Sequence, residues 1–305
     1  VDSIILAIAA PAFIALGGLF SAELRTTLSV FGLTFFRVGG ALALLAVAAV
    51  LTGNWRDVTY GDLTPLLVSG LVGMLVSDAA LSGAIFAIGA SNALVVFSLN
   101  AVFAGILGWV FLSESLMPAD MIGIFAVIAG VALALSQAKD SDISIFNPAE
   151  FASGLQSRAL RRQLAFGIGL GVLAAFAQAL SGMLARPVMA SGIGADAAMS
   201  VRLAGACLVL AILAMARGGN KRETPPVTGK TLALGFASAW LGIGCGVTFF
   251  FASLKGVNIA TAATLASTTP LWVLHMNWIR TREFPGWRPL TGAGLALLGA
   301  YFILR

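Results

Sequence analysis

The residues whose types and placement point to chemistry are ionisable or strongly polar groups set inside long apolar stretches. Asp78 is flanked by Val76, Ser77 and Ala79 within the apolar run 63–88. A charge held in hydrocarbon costs about 2.5–3.5 kcal/mol on insertion scales, so such a residue is a functional candidate by default. Asp78 reads as a proton-coupling carboxylate, as the partner of a substrate amine, or as a structural partner for Arg37, Arg202 or a polar backbone site. Helical spacing places Met74, Ser82, Ile85 and Phe86 on its face, a mixture of polar and apolar groups that suits a cavity wall. Arg37 and Arg202 sit at matching places, each early in its own apolar run. They read either as structural, with a long stem reaching for the interface, or as anion-binding guanidinium groups that grip a carboxylate or phosphate bidentately.

A second set is polar but uncharged. Thr268-Thr269-Pro270 falls in the middle of the run 258–279. Proline has no amide hydrogen and clashes one turn back, so Pro270 is expected to release a carbonyl near Ala266. A released carbonyl beside hydroxyls forms a polar notch in a cavity wall, or the hydroxyls bond across a packed helix interface. Trp272 and His275 follow on the same run. Asn100, with Phe97 before it, is the corresponding polar element of the run 91–112. Gln178 in 164–186 and Trp240 in 229–255 complete the candidate lining. Trp240 also reads as core packing or as a stacking surface for a cationic or aromatic ligand. His275 is the single histidine, and with only Asn277 near it the spacing offers no metal site. No metal, no cofactor and no catalytic constellation is expected.

The elements that must position these residues follow from composition. Of 305 residues, 59% are hydrophobic and 10% charged, against roughly 25% charged in a soluble domain. So few charges cannot cover a water-exposed surface, whereas lipid accepts apolar side chains all round a helix. Membrane spans are expected at 3–22, 29–52, 63–88, 91–112, 119–137, 164–186, 195–216, 229–255, 258–279 and 288–304. The expected fold is therefore all-α integral membrane, with ten transmembrane helices. Cys207 and Cys245 lie in spans and read as small buried hydrophobes. Val1-Asp2-Ser3 has no basic stretch before the first span, which argues against a signal peptide, and the missing initiator Met is read as trimming or processing.

The charged segment 139–163 divides the spans into two groups of five, 1–138 and 164–305. The groups repeat. Arg37-Val38-Gly39-Gly40-Ala41 matches Arg202-Leu203-Ala204-Gly205-Ala206, and Glu114, Gly123 and Gly130 recur as Glu283, Gly292 and Gly299 at the same intervals. An odd number of spans per group turns the second upside down, which makes the pair an inverted repeat with substrate expected at its interface near mid-membrane. Trp109, Trp278 and Trp287 lie near span ends and read as interfacial anchors. The charged, proline-containing stretch 220–226 reads as an exposed loop. A net charge of +5 belongs to loops that set topology and meet anionic lipid, so no nucleic-acid partner is expected. Most Lys and Arg lie in loops after odd-numbered spans, which places both termini outside.

At the repeats the chain resembles the drug/metabolite transporter superfamily in its ten-helix EamA-type branch. The carriers are the five-plus-five repeat, the Arg-x-x-x-Ala pattern early in spans 2 and 7, the apolar stretch 80–112 ending in Leu112-Ser113-Glu114, and the Gly123…Gly130 helix that follows. The resemblance implies a pseudosymmetric bundle, a central cavity lined by helices 1, 3, 4, 6, 8 and 9, and export or exchange of small metabolites by alternating access. It also implies cytoplasmic termini, against the charge count, and both orientations stay open. Ala15-Leu16-Gly17-Gly18 and Ala179-Leu180-Ser181-Gly182 stand where many relatives carry Trp-Gly. The first span, 3–22, holds no carboxylate inside it and Glu23 stands only at its end, which departs from the small multidrug exporters. Glu114 and Glu283 match a family position at helix–loop corners and are read as structural, bonding the opposite repeat. The function expected is secondary transport of a small metabolite such as an amino acid or another carboxylate-bearing compound, in a bacterial inner membrane, with one chain sufficient. The alternatives are a lipid-linked phosphate flippase or a membrane scaffold. No Walker phosphate loop is visible, so a gradient drives transport, and no enzymatic activity is expected.

Overall fold

The computed structural model describes residues 2–24, 30–88, 90–114, 117–135, 158–216, 228–282 and 286–303. The linker expected at 139–163 lies largely outside the described residues, as do the loop 220–226 and Glu283. Among the described residues every membrane-length element is helical. They are α1 (Asp2–Leu24), α2 (Val30–Thr52), α3 (60–88), α4 (90–112), α5 (Pro118–Leu135), α6 (Arg158–Ala190), α7 (Ala195–Ala216), α8 (229–253), α9 (259–281) and α10 (Trp287–Ile303). Helices answer to lipid because each backbone amide and carbonyl finds its partner inside the same segment. By length and composition 7 of the described helices can cross a membrane, and Pro118–Leu133 is a shorter apolar helix. The chain is an all-α, multi-pass membrane protein.

Among the described residues four helices are irregular, and the irregularities come in matched pairs. In α3 a π-helical stretch, Val72–Ser77, joins Tyr60–Leu71 to Asp78–Ile88. In α8 the π-helical stretch Ser238–Val247 joins Gly229–Ala237 to Thr248–Ser253. Helix α4 is interrupted between Ala90–Phe97 and Asn100–Leu112. Helix α9 is interrupted at the equivalent place, between Ile259–Ala266 and Thr269–Thr281. Ser113 and Arg282, which end α4 and α9, are both left-handed, with φ 54° and 58°. Ala90 and Ile259, Asn100 and Thr269, and Ser113 and Arg282 all stand at the spacing that separates Glu114 from Glu283.

The chain forms two compact units. One is Val1–Met74 with Leu184–Val257, the other Leu75–Met183 with Asn258–Arg305. Each draws helices from both sequence groups. In the first unit α1 lies along α8. Gly17 meets the Gly242 backbone, the Ser238 hydroxyl donates to the Gly17 carbonyl at 2.9 Å, and Phe13 packs edge-on against Phe249 at 5.3 Å between centroids. Helix α7 packs on α2 and on the first part of α3. Asp196, in the first turn of α7, accepts from Thr52 Oγ1 and Asn54 Nδ2, each at 2.7 Å.

In the second unit the later part of α3 runs along α6. Ser77 Oγ donates to the Ala174 carbonyl at 2.9 Å, and Gly167 faces Ile88. Ala84, Ile88, Ala93 and Leu164 close this contact around a buried apolar cluster. Val95 of α4 packs with Val127 and Val131 of α5, and Leu271 of α9 covers them.

The pairing of α5 with α10 shows the inversion directly. A Cβ on Gly130 would meet the Gly292 carbonyl and the Ala296 amide, and a Cβ on Gly299 would meet the Gly123 carbonyl and the Val127 amide. Residue 123 is to 299 as 292 is to 130, so the contact is two-fold and the helices are antiparallel. A two-fold axis across two antiparallel spans is what an inverted repeat requires. Backbone cannot yield as a side chain can. Gly130→Ala and Gly299→Ala are each expected to destabilise the protein by about 1–3 kcal/mol, the usual range for overpacking. Gly294→Ala, on the same α10 but with nothing within 4 Å, is expected to be neutral or slightly stabilising in the same thermal unfolding assay.

Candidate functional site

Nine of the twelve candidate residues fall in the second unit: Asp78, Ser82, Phe97, Asn100, Gln178, Thr268, Thr269, Trp272 and His275. Arg37, Arg202 and Trp240 fall in the first.

Asp78 follows directly on the π-helical stretch and opens the last part of α3. It is exposed, as is Val76, whereas Ser77 is fully buried against α6. Met74, expected on the Asp78 face from four-residue spacing, is buried at 6%. Ser82 and Ile85, beyond the π stretch, are half-buried. Gln178 lies one turn along α6 from Ala174, the acceptor of Ser77, and is half-buried.

The interruptions in α4 and α9 are capped by the same device. Asn100 Nδ2 donates to the Phe97 carbonyl at 3.1 Å, and Thr269 Oγ1 donates to the Ala266 carbonyl at 2.6 Å. Ser98 Oγ bonds the Val95 carbonyl at 2.6 Å, and Thr268 Oγ1 bonds the Leu265 carbonyl at 2.7 Å. Pro270 does release the Ala266 carbonyl, and the Thr269 hydroxyl takes it up. Asn100 and Thr268 are buried, at 4% and 8%, while Phe97 and Thr269 are half-buried. Trp272, in the first turn of Thr269–Thr281, is exposed. His275 is exposed too, with its ring edge-on to Trp278 at 6.0 Å. No group of three or more His, Cys, Asp or Glu is placed to hold a metal among the described residues.

The arginines take their surroundings from the first unit. Arg202 is 1% exposed. Its guanidinium donates to Ser69 Oγ and lies 3.4 Å over the Phe251 ring, while Gly70 lets α3 touch the Arg202 backbone. This arrangement favours the structural reading, with one guanidinium tying α3, α7 and α8 together. Arg37 is half-buried, with Nη2 beside Gly242 at the α1–α8 contact. Trp240 donates its indole N–H to the Gly40 carbonyl at 3.2 Å and packs against Phe236, so its polar edge joins α8 to α2.

Sequence reasoning passed over Ser69, Phe251, Ser98 and Ser267. The repeat could have found the last two, since they occupy equivalent places before Asn100 and Thr269. Nothing local marks Ser69 or Phe251. An open hollow of about 620 Å³ lies in the first unit between the α2–α3 and α6–α7 turns, lined by Asp57, Thr59, Asp62, Ser191, Gly192 and Ile193. None of the candidate residues lines it. Asp62 already serves there as a cap, accepting from the Thr59 amide and hydroxyl at 2.9 and 2.6 Å.

The matched irregularities and the α5–α10 two-fold agree with comparisons to known proteins. The model of the EamA-like transporter family matches residues 2–136 and 165–305. A solved structure described only as "Crystal structure of protein" superposes with a TM-score of 0.72 over 98% of this chain and 93% of its own, at 16% identity, and shares the fold. No curated protein matches.

Proposed function

Because the chain belongs to the EamA-like transporter family, whose members carry small solutes across membranes, we propose that it is a secondary transporter of a small metabolite, working as an exporter or exchanger. The observation that carries this reading is Asp78, an exposed carboxylate well inside the span Tyr60–Ile85. Facing hydrocarbon it would cost several kcal/mol, whereas a water-filled path removes most of that penalty. Substrate is then handled by Asp78, Ser82 and Gln178 on one side and by the interrupted α4 and α9 on the other. Half-helices that stop within the membrane present dipole ends and carbonyls to a ligand.

The substrate class is an amino acid or a related carboxylate-bearing metabolite, the site of action is a bacterial inner membrane, and one chain with its lipid suffices. Purified protein warmed with amino acids, organic acids, amines and nucleosides tests this, since a ligand of the folded state raises its melting temperature. At a concentration of 100 times Kd, one bound ligand adds about 2.7 kcal/mol, or roughly 5–10 °C for a chain of this size. Amino acids giving the shift support the reading. A shift from amines or nucleosides alone overturns the substrate class.

A further inference from the structure

Glu114 contacts a helix that follows it by almost half the chain. Its Oε2 accepts the backbone N–H of Ile259, the first residue of α9, at 2.9 Å. The first amides of a helix have no partner within it, and a carboxylate there also meets the positive end of the helix dipole. The local cap residue of α9, Asn258, makes no side-chain capping bond, so the carboxylate comes from the end of α4. Three features put it there. Ser113 is left-handed and turns the chain back. The Glu114 amide then bonds the Gly108 carbonyl at 3.1 Å. Gly108 leaves the necessary room, since a Cβ on it would lie 2.8 Å from Ile259 and 2.9 Å from Glu114 Oε2.

The segment so capped is short. Ile259–Ala266 spans 8 residues, about 12 Å at helical rise, between the Glu114 contact and the interruption carrying Thr268 and Thr269. It packs along Asn100–Leu112 of α4, whose own interruption lies at the end away from Glu114. The two half-helices are therefore tied at one end by Glu114, and their other ends carry Asn100, Thr268 and Thr269. We propose that Glu114 is a positioning residue for transport: by capping α9 from α4 it sets the register of Thr268 and Thr269 against Asn100, and so the shape of the substrate path. This rests on the transporter reading above and gives it a control point remote from the substrate.

Three variants separate reach from charge. Glu114→Gln keeps the acceptor and its reach, Glu114→Asp keeps the charge but is one methylene short, and Glu114→Ala removes both. Hydrogen exchange of the amides of 259–268 is read in detergent, and uptake of a radiolabelled amino-acid mixture is read in liposomes. Exchange there is expected to quicken at least tenfold in the Ala and Asp variants and only slightly in Gln. The apparent KM is expected to rise several-fold in Ala and Asp, with a smaller fall in maximal rate, and to recover in Gln. Unchanged exchange over 259–268 in a folded Glu114→Ala protein overturns the proposal, as does faster exchange with unaltered KM. If the wild-type protein takes up none of the mixture, the amino-acid assignment fails by itself. The exchange result and the KM for whichever compound raised the melting temperature then decide the role of Glu114.

Discussion

Asp78→Asn is expected to cut gradient-driven uptake by tenfold or more while shifting the melting temperature by no more than about 2 °C, the ceiling for an exposed substitution in a chain of this size. Asparagine is nearly isosteric with aspartate but carries no charge and cannot take and release a proton. Asp78 is exposed, with Ser77 beside it packed to Ala174 and holding α3 in place, so packing is preserved. If the carboxylate couples protons to transport, a pH gradient accelerates the wild-type protein, and the Asn variant loses that acceleration while still exchanging substrate for substrate. If the carboxylate instead pairs with a substrate amine, exchange falls together with net uptake. Uptake and gradient dependence both matching wild type would remove Asp78 from the mechanism.

Arg202→Ala is expected to lower stability by about 3 kcal/mol or more, the range for emptying a large buried site. That corresponds to a fall in melting temperature of roughly 6–12 °C. Arg202 is one of the largest fully buried side chains in the described structure, and truncation removes the bond to Ser69 and the contact with Phe251 together. Arg202→Lys is expected to recover little, because an ammonium has neither the planar face that lies over Phe251 nor the forked donors. Arg37→Ala, at the equivalent but half-buried position, is expected to cost less. A normal melting temperature with lost transport in Arg202→Ala would instead assign this guanidinium to substrate. Melting curves on the three purified variants, paired with uptake, separate the outcomes.

Part of the candidate site was legible before the coordinates. Pro270 marked the released carbonyl of Ala266 because a missing amide is a local fact of sequence. Glu114 was readable as a bond to the opposite repeat, although not its target, the Ile259 amide. The interruption in α4 carries no proline, and only its alignment with α9 points to it. That Met74 is buried while Asp78 is exposed was not legible, since the π-helical stretch between them leaves no mark in hydropathy. The equivalence of Arg37 and Arg202 was visible. The difference in their burial was not.

By itself the sequence determined that the chain is a helical membrane protein, where its rods run, and that its two groups of five repeat in opposite sense. Those properties follow from the sum of side-chain transfer energies along each segment and from the parity of the spans, and neither needs neighbours. The tertiary structure alone decided that Arg202 is sealed beneath Ser69 and Phe251, that Ser77 is buried against Ala174 while Asp78 beside it is exposed, and that Glu114 caps Ile259. Each of these depends on backbone register and on partners up to 145 residues away in the chain, where the packing of one helix fixes which way another's side chains can point.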